Sequence, residues 1–223
     1  AGAVPAKKKN RGANWSGIPY AQAKKKSYFY ITAVIILLTG MILQGVYGTY
    51  AAHMKDIGLN AGHIATVASI LALLLTGTKI LVGMLFDRHG LRVVMTLCQT
   101  ITVIAFVLMI LIDNSDVGNV LSIIFAVLFS LALPLETIAI PLIANGLFGS
   151  VSYDKILGIY IAMLNAGFAL GAPIMNLVYD EFGSYKPIHY VFCGMMLVIS
   201  VITQFVLKRA QKDKDIILKE SQQ

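Results

Sequence analysis

Charge is scarce in this sequence: Asp, Glu, Lys and Arg make up 13% of its 223 residues, about half the roughly 25% of an ordinary soluble domain. That excludes a conventional water-soluble globule. Cysteine is nearly missing, with Cys98 and Cys193 each inside an apolar run, so neither a disulfide-stapled scaffold nor a thiolate metal cluster is expected. The four histidines, His53, His63, His89 and His189, show no ligand spacing, and no metal or cofactor is expected; His189, opening the last apolar run, reads as interfacial. There is no Gly-x-Ser-Gly nucleophile with an intramembrane histidine partner, so no catalytic residue is assigned and an enzyme is not expected. No run carries arginine at every third position, which argues against a voltage sensor.

Apolar length is what the sequence has instead. A helix rises about 1.5 Å per residue, so a hydrocarbon layer about 30 Å thick takes roughly 20 apolar residues to cross. Six runs are long enough, near 28–52, 63–86, 93–112, 118–144, 156–179 and 188–207. The fold class expected is therefore an all-α membrane protein, a bundle of six transmembrane helices over 28–207. A basic cytoplasmic linker (1–27) precedes it and a cytoplasmic tail (208–223) follows. The first 27 residues are too polar, and the first run too long, for a cleavable signal peptide, whose apolar core is about 7 to 15 residues. Their three-lysine runs, Gly, Pro and Ser read as a connector from an upstream domain.

The net charge of +7 has a topological explanation. Lys7, Lys8, Lys9, Arg11, Lys24, Lys25 and Lys26 precede the first run, Arg88 and Arg92 follow the second, and Lys155 follows the fourth. Lys208, Arg209, Lys212, Lys214 and Lys219 follow the sixth, and only Lys55 and Lys186 fall on the other side. The positive-inside rule then places both termini in the cytoplasm of a multi-pass inner (plasma) membrane protein. Orientation accounts for the basic residues, and no nucleic-acid partner is needed.

The chain also resembles itself. Residues 84–90 (MLFDRHG) close the second run and residues 177–183 (LVYDEFG) close the fifth, with Asp87 and Asp180 separated by 93 positions. The same offset carries the first run onto the fourth and the third onto the sixth. Three helices per copy is an odd number, so the copies enter the membrane from opposite sides. This is the 3+3 inverted repeat described for halves of many secondary transporters.

Residues 83–92 (GMLFDRHGLR) fill every fixed position of the pattern G-x-L-x-D-R-x-G-x-R. They resemble the signature hairpin of the major facilitator superfamily, which occurs between the second and third helices of that family and again between the eighth and ninth. The physical demands on each position are legible. Gly83 lets a neighbouring helix approach closely, Gly90 permits a left-handed turn, and Asp87 can face a helix N-terminus while Arg88 and Arg92 stay cytoplasmic. Residues 44–48 (QGVYG), 147–149 (LFG), 156–158 (ILG) and 165–185 are similar to helices of bacterial members near the monocarboxylate and oxalate/formate branch. The likeness covers residues 28–207. It implies the C-terminal six-helix half of a twelve-helix carrier, with 83–92 as a gating hinge.

Lys79 and Glu136 are the charged residues well inside the apolar runs, and each costs roughly 2.5 to 3.5 kcal/mol on insertion scales. Counted from the hinge end, both lie at a depth of roughly 12 to 13 Å. One reading is a structural ion pair. The other puts Lys79 on the transport pathway, continuing a stripe of Ser69, Ala72 and Thr76 that suits a wet wall; small residues also suit close helix packing. In the branch named above a basic residue, usually arginine, precedes the hinge glycine by four, as Lys79 precedes Gly83. That resemblance implies anion binding, although lysine lacks the planar fork that grips a carboxylate. No Lys, Arg or His occurs within the fifth run, 156–179, so one cation favours a monocarboxylate or mixed-charge solute over a dicarboxylate. Glu136, between Pro134 and Pro141, is the candidate for proton coupling. Gln44, Tyr47 and Asn165 are candidate solute-binding groups and Asn176 a further cavity polar group, each equally suited to an interhelical hydrogen bond. Gly167 and Gly171 form a G-x-x-x-G packing face.

The expected function is alternating-access transport of a small organic anion with proton coupling or exchange. The expected partners are the lipid bilayer, the solute, and an N-terminal six-helix half or a second copy. The alternative is a six-helix scaffold or half-transporter without transport of its own.

Overall fold

The computed structural model describes residues 16–220. Lys7 to Lys9, Arg11 and the last three residues of the tail lie outside them. The described residues form eight helices: α1 (Tyr20–Ala23), α2 (Ser27–Asp56), α3 (Ala61–Leu111), α4 (Asp116–Ala132), α5 (Pro134–Thr137), α6 (Ala139–Phe148), α7 (Tyr153–Phe182) and α8 (Lys186–Glu220). Five helical stretches are long and apolar enough to cross a membrane: Ser27–Asp56, Ala61–Leu111, Asp116–Thr137, Tyr153–Phe182 and Lys186–Lys219.

The second and third apolar runs share α3, whose 51 residues would extend about 76 Å if straight, over twice the hydrocarbon thickness. It is not straight. Gly90, at φ 78° and ψ 165°, divides it into two legs. That conformation is open to glycine because it has no Cβ; it lies in the extended positive-φ region, not the left-handed helical turn expected from the sequence. Gly183, the matching glycine of the internal repeat, does adopt the left-handed conformation (φ 63°, ψ 18°) and ends α7. Short polar side chains start the helices at the opposite end: Asn60 accepts a hydrogen bond from Gly62 N at 2.8 Å, and Ser115 Oγ accepts one from Gly118 N at 3.1 Å.

The fourth run, expected as one helix over 118–144, is instead α4, α5 and α6. A proline cannot donate to the carbonyl four residues before it and its ring crowds that turn. Pro134 and Pro141 therefore interrupt the run at Leu133 and Ile138. α8, by contrast, continues to Glu220, so that residues 208–220, expected as tail, extend the last helix.

Three long pairings build the bundle: α2 along α7, the first leg of α3 along α4, and the second leg along α8. The α2–α7 contact is glycine-mediated. A Cβ on Gly167 would run into the Leu37 carbonyl, and one on Gly171 into the backbone of Met41 and Gly45. Around these pairings lies an aromatic core in which Phe125 stacks on Phe129, with Phe106 and Tyr50 beside them. At the hinge end the described part of the sequence-defined linker is docked. Ile18 N donates to Phe148 O, Ser150 N and Val151 N donate to Ser16 O, and the Lys155 ammonium sits 4.4 Å from the Tyr20 ring centroid. Lys26 pairs with Asp213 of α8 at 2.8 Å.

Gly167→Ala is expected to lower stability by about 1–3 kcal/mol through overpacking. Gly158→Ala, where an added Cβ meets nothing within 4 Å, gains the same helix propensity without the clash. Thermal unfolding of both variants in detergent checks the difference; equal midpoints would show that α2 and α7 do not meet at this contact.

Candidate functional site

The interrupted fourth run organises the site. Pro134 leaves the Ser130 carbonyl without its helical donor, and the hydroxyl of Thr78 on α3 donates to that oxygen at 2.8 Å. This bond ties the first leg of α3 to the break between α4 and α5, one residue from Lys79 and six from Glu136. Pro141 similarly has no N–H to offer Thr137, the residue after Glu136.

Beside this tie is a cavity of about 130 Å³ lined by Gln44 and Tyr47 of α2, Leu75 and Lys79 of α3, and Leu133, Glu136 and Thr137 around α5. Four sequence-selected residues, Gln44, Tyr47, Lys79 and Glu136, thus share one cavity. Glu136 is 7% exposed and its buried Oε1 has no hydrogen-bond partner. Lys79 is half-buried. Among the described residues no ion pair within 4.0 Å joins the two. They face the same space with room between them.

Other selected residues lie elsewhere. Asn165 is exposed on α7 outside this cavity. Asn176, also on α7 and exposed, accepts a 3.3 Å hydrogen bond from Tyr185 OH. Ser69, Ala72 and Thr76 are exposed, so their stripe is not a packing face within this bundle. Among the described residues a Cβ on Gly83 would meet nothing within 4 Å, so the close helix approach expected there is not made within this chain. Thr78, Val82 and Phe86 are the buried positions of this stretch; Gly83 is turned about 100° from Val82, off that stripe. In the hinge, Asp87, Arg88 and His89 are exposed. Arg92 Nε donates to Gln204 Oε1 at 2.9 Å, and Gln204 Nε2 donates to Thr96 Oγ1 at 2.6 Å. This part of the hinge is fastened to α8.

Two groups escaped the sequence reading. Thr78 could have been found, since it adjoins Lys79 and Pro134 marks Ser130 as an orphan acceptor. The His53–His189 contact could not. Both rings are 0% exposed with centroids 5.0 Å apart, and His53 Nε2 lies 3.2 Å from Met109 O. His189 is therefore buried within the bundle, because the start of α8 turns it inward against α2. No group of three or more His, Cys, Asp or Glu suited to a metal occurs among the described residues.

The family model described as Major Facilitator Superfamily matches residues 30–222, nearly the whole chain. The chain belongs to the major facilitator superfamily. Members of that superfamily are transporters, not enzymes, and its apolar helices make this chain a multi-pass protein of the lipid bilayer. A comparison with curated proteins gives no match.

Thr78→Val, nearly isosteric, removes the donor to Ser130 O. The expected loss is about 1 kcal/mol, within the range of interhelical bonds in membranes, read as a lower thermal midpoint in detergent. An unchanged midpoint would show that Ser130 O finds another donor.

Proposed function

We propose that this chain is a six-helix half of a secondary active transporter that moves a small organic anion, best a monocarboxylate, by alternating access. The observation that carries the reading is the cavity that Lys79 and the buried Glu136 both line without an ion-pair contact between them among the described residues. A cation that costs several kcal/mol to place in a membrane needs a compensating anion, and here a solute carboxylate fills that role. Gln44 and Tyr47 supply hydrogen bonds beside it. A volume of about 130 Å³ has room for roughly four waters or a small carboxylate on this half's side of the site.

Glu136 is the coupling group in this proposal. The protonation of a buried carboxylate responds to neighbouring charge, so an anion arriving at Lys79 withdraws the cation's field from Glu136 and favours a proton there. Proton-coupled uptake or exchange follows from one pair of residues. The branch likeness, a basic residue four before the hinge glycine, supports the anion; the absence of Lys, Arg and His over 156–179 supports a single carboxylate.

The helix pairings support a 3+3 inverted repeat. Counting the two legs of α3 as separate crossings and α4 to α6 as one, the pairings are first with fifth, second with fourth, and third with sixth. Exchanging each crossing with the one three later returns the same set. The exposed faces of Tyr47, Thr76, Ala72 and Ser69 suit a second wall, supplied by an N-terminal half or by a second copy of this chain. The distribution of Lys and Arg supports cytoplasmic termini in a plasma membrane.

Reconstituted in proteoliposomes with its partner half or copy, Lys79→Gln is expected to lower monocarboxylate uptake at least tenfold. Glu136→Gln is expected to abolish uptake driven by a pH gradient while sparing exchange. Full uptake by the Lys79 variant would overturn the anion site, and unfolding of the Glu136 variant would assign that residue to structure.

A further inference from the structure

A second polar cavity lies at the hinge end, remote from Lys79. It encloses about 430 Å³ between the Gly90 break, the end of α6 and the last turns of α8, with His89, Arg92, Lys208, Gln211 and Lys214 as its polar lining and no carboxylate among the lining residues. Leu91, Leu147, Leu207 and Ala210 form an apolar floor. We propose that this bowl binds a phosphoryl-bearing anion, and so makes the hinge sensitive to phosphate chemistry at the membrane surface.

The site is built, not a chance gathering of basic residues. Arg92 is held by its Nε bond to Gln204, itself bonded to Thr96; its terminal nitrogens make no other hydrogen bond among the described residues. A guanidinium held in this way presents a planar fork suited to phosphate oxygens. Of the nearby acids of α8, Asp213 is paired with Lys26, and Asp215 accepts a hydrogen bond from the side-chain amide of Gln211. Gly146 brings α6 against Leu91, since a Cβ there would lie 3.1 Å from the leucine side chain. The second leg of α3 also starts at this opening, which adds the positive end of its dipole. An apolar floor under a basic rim at the end of a helix bundle is the arrangement that receives anionic headgroups.

The consequence is mechanical. Arg92 and Gly90 belong to the break between the two legs of α3, and Lys208 to α8. An anion held by both elements staples the second leg to α8 and leaves the first leg to move about Gly90. The proposal concerns the hinge and needs neither Lys79 nor a transported solute.

The test uses the purified 223-residue chain in nanodiscs. One arm compares retention of a photoactivatable phosphatidylglycerol with retention of its phosphatidylcholine counterpart, with labelled sites located by mass spectrometry. The other arm titrates inorganic phosphate against that labelling. Labelling of residues 207–214 and 89–92, stronger for phosphatidylglycerol, is expected. Loss of either Arg92 or Lys208 to Gln should reduce labelling roughly fivefold, the effect of about one cation near an anionic surface. Arg92→Lys should restore part of the loss, and Lys155→Gln, a cation outside the bowl, should have no effect. Competition by millimolar phosphate identifies the free anion as a ligand; no competition assigns the bowl to headgroups. Equal labelling by both lipids without phosphate competition, or labelling indifferent to Arg92 and Lys208 in variants that remain monodisperse, would overturn the proposal.

Discussion

Everything in this bundle depends on what happens to backbone carbonyls that a helix cannot satisfy. In hydrocarbon an unpaired carbonyl costs several kcal/mol, so helices persist until something breaks them, and each break needs a replacement donor. Pro134 makes such a break, and the Thr78 hydroxyl supplies the donor to Ser130 O. This bond, with that of His63 to Ser122 Oγ at 2.7 Å, ties α3 to α4 near where Lys79 and Glu136 share a cavity. The cavity is a product of the proline as much as of the charged residues.

Glycine sets the other distances. Between α2 and α7, Gly167 and Gly171 bring backbones together so closely that no Cβ fits there, and Gly45 leaves one only a tight contact. At Gly90 and Gly83 nothing lies within 4 Å of an added Cβ; Gly90 is required by its positive φ, while Gly83 is not explained by packing within this chain. The same residue type thus locks one helix pair and loosens another. The α2–α7 pair is closely packed along its backbones, while α3 is broken at Gly90.

The apolar runs and the hinge were legible because both depend on local pattern. Run length sets a crossing, and the spacing of Asp87, Arg88, Gly90 and Arg92 marks the break. The meeting of Gln44, Tyr47, Lys79 and Glu136 was legible in outline, since depth along a helix can be counted. What could not be read was rotation about the helix axis. Asn165 and Gln44 read alike from the sequence, yet Gln44 lines the cavity beside Lys79 and Asn165 is exposed on α7 outside it. His189 begins α8 at the edge of an apolar run, where an exposed ring would be ordinary, but α8 turns it onto His53. Gly83 looked like a packing glycine, yet it lies off the stripe of Thr78, Val82 and Phe86. In each case the face is chosen by a neighbouring helix, and a single chain's periodicity does not name the neighbour.

Charge shows the same division between depth and direction. The positive-inside rule explains why basic residues gather at the hinge end but not how they are arranged there. Orientation needs only their number, and surface lysines anywhere along α8 would serve. The structure instead fastens Arg92 through Gln204 and Thr96, engages Asp213 and Asp215 with Lys26 and Gln211, and leaves a bowl without a lining carboxylate. Like charges converging on one opening repel one another, although exposed groups such as Arg92 and Lys208 are screened by salt. An anion placed between Arg92 and Lys208 would offset that repulsion beside the Gly90 break. Orientation put the cations at this end; their convergence is what an anion would stabilise.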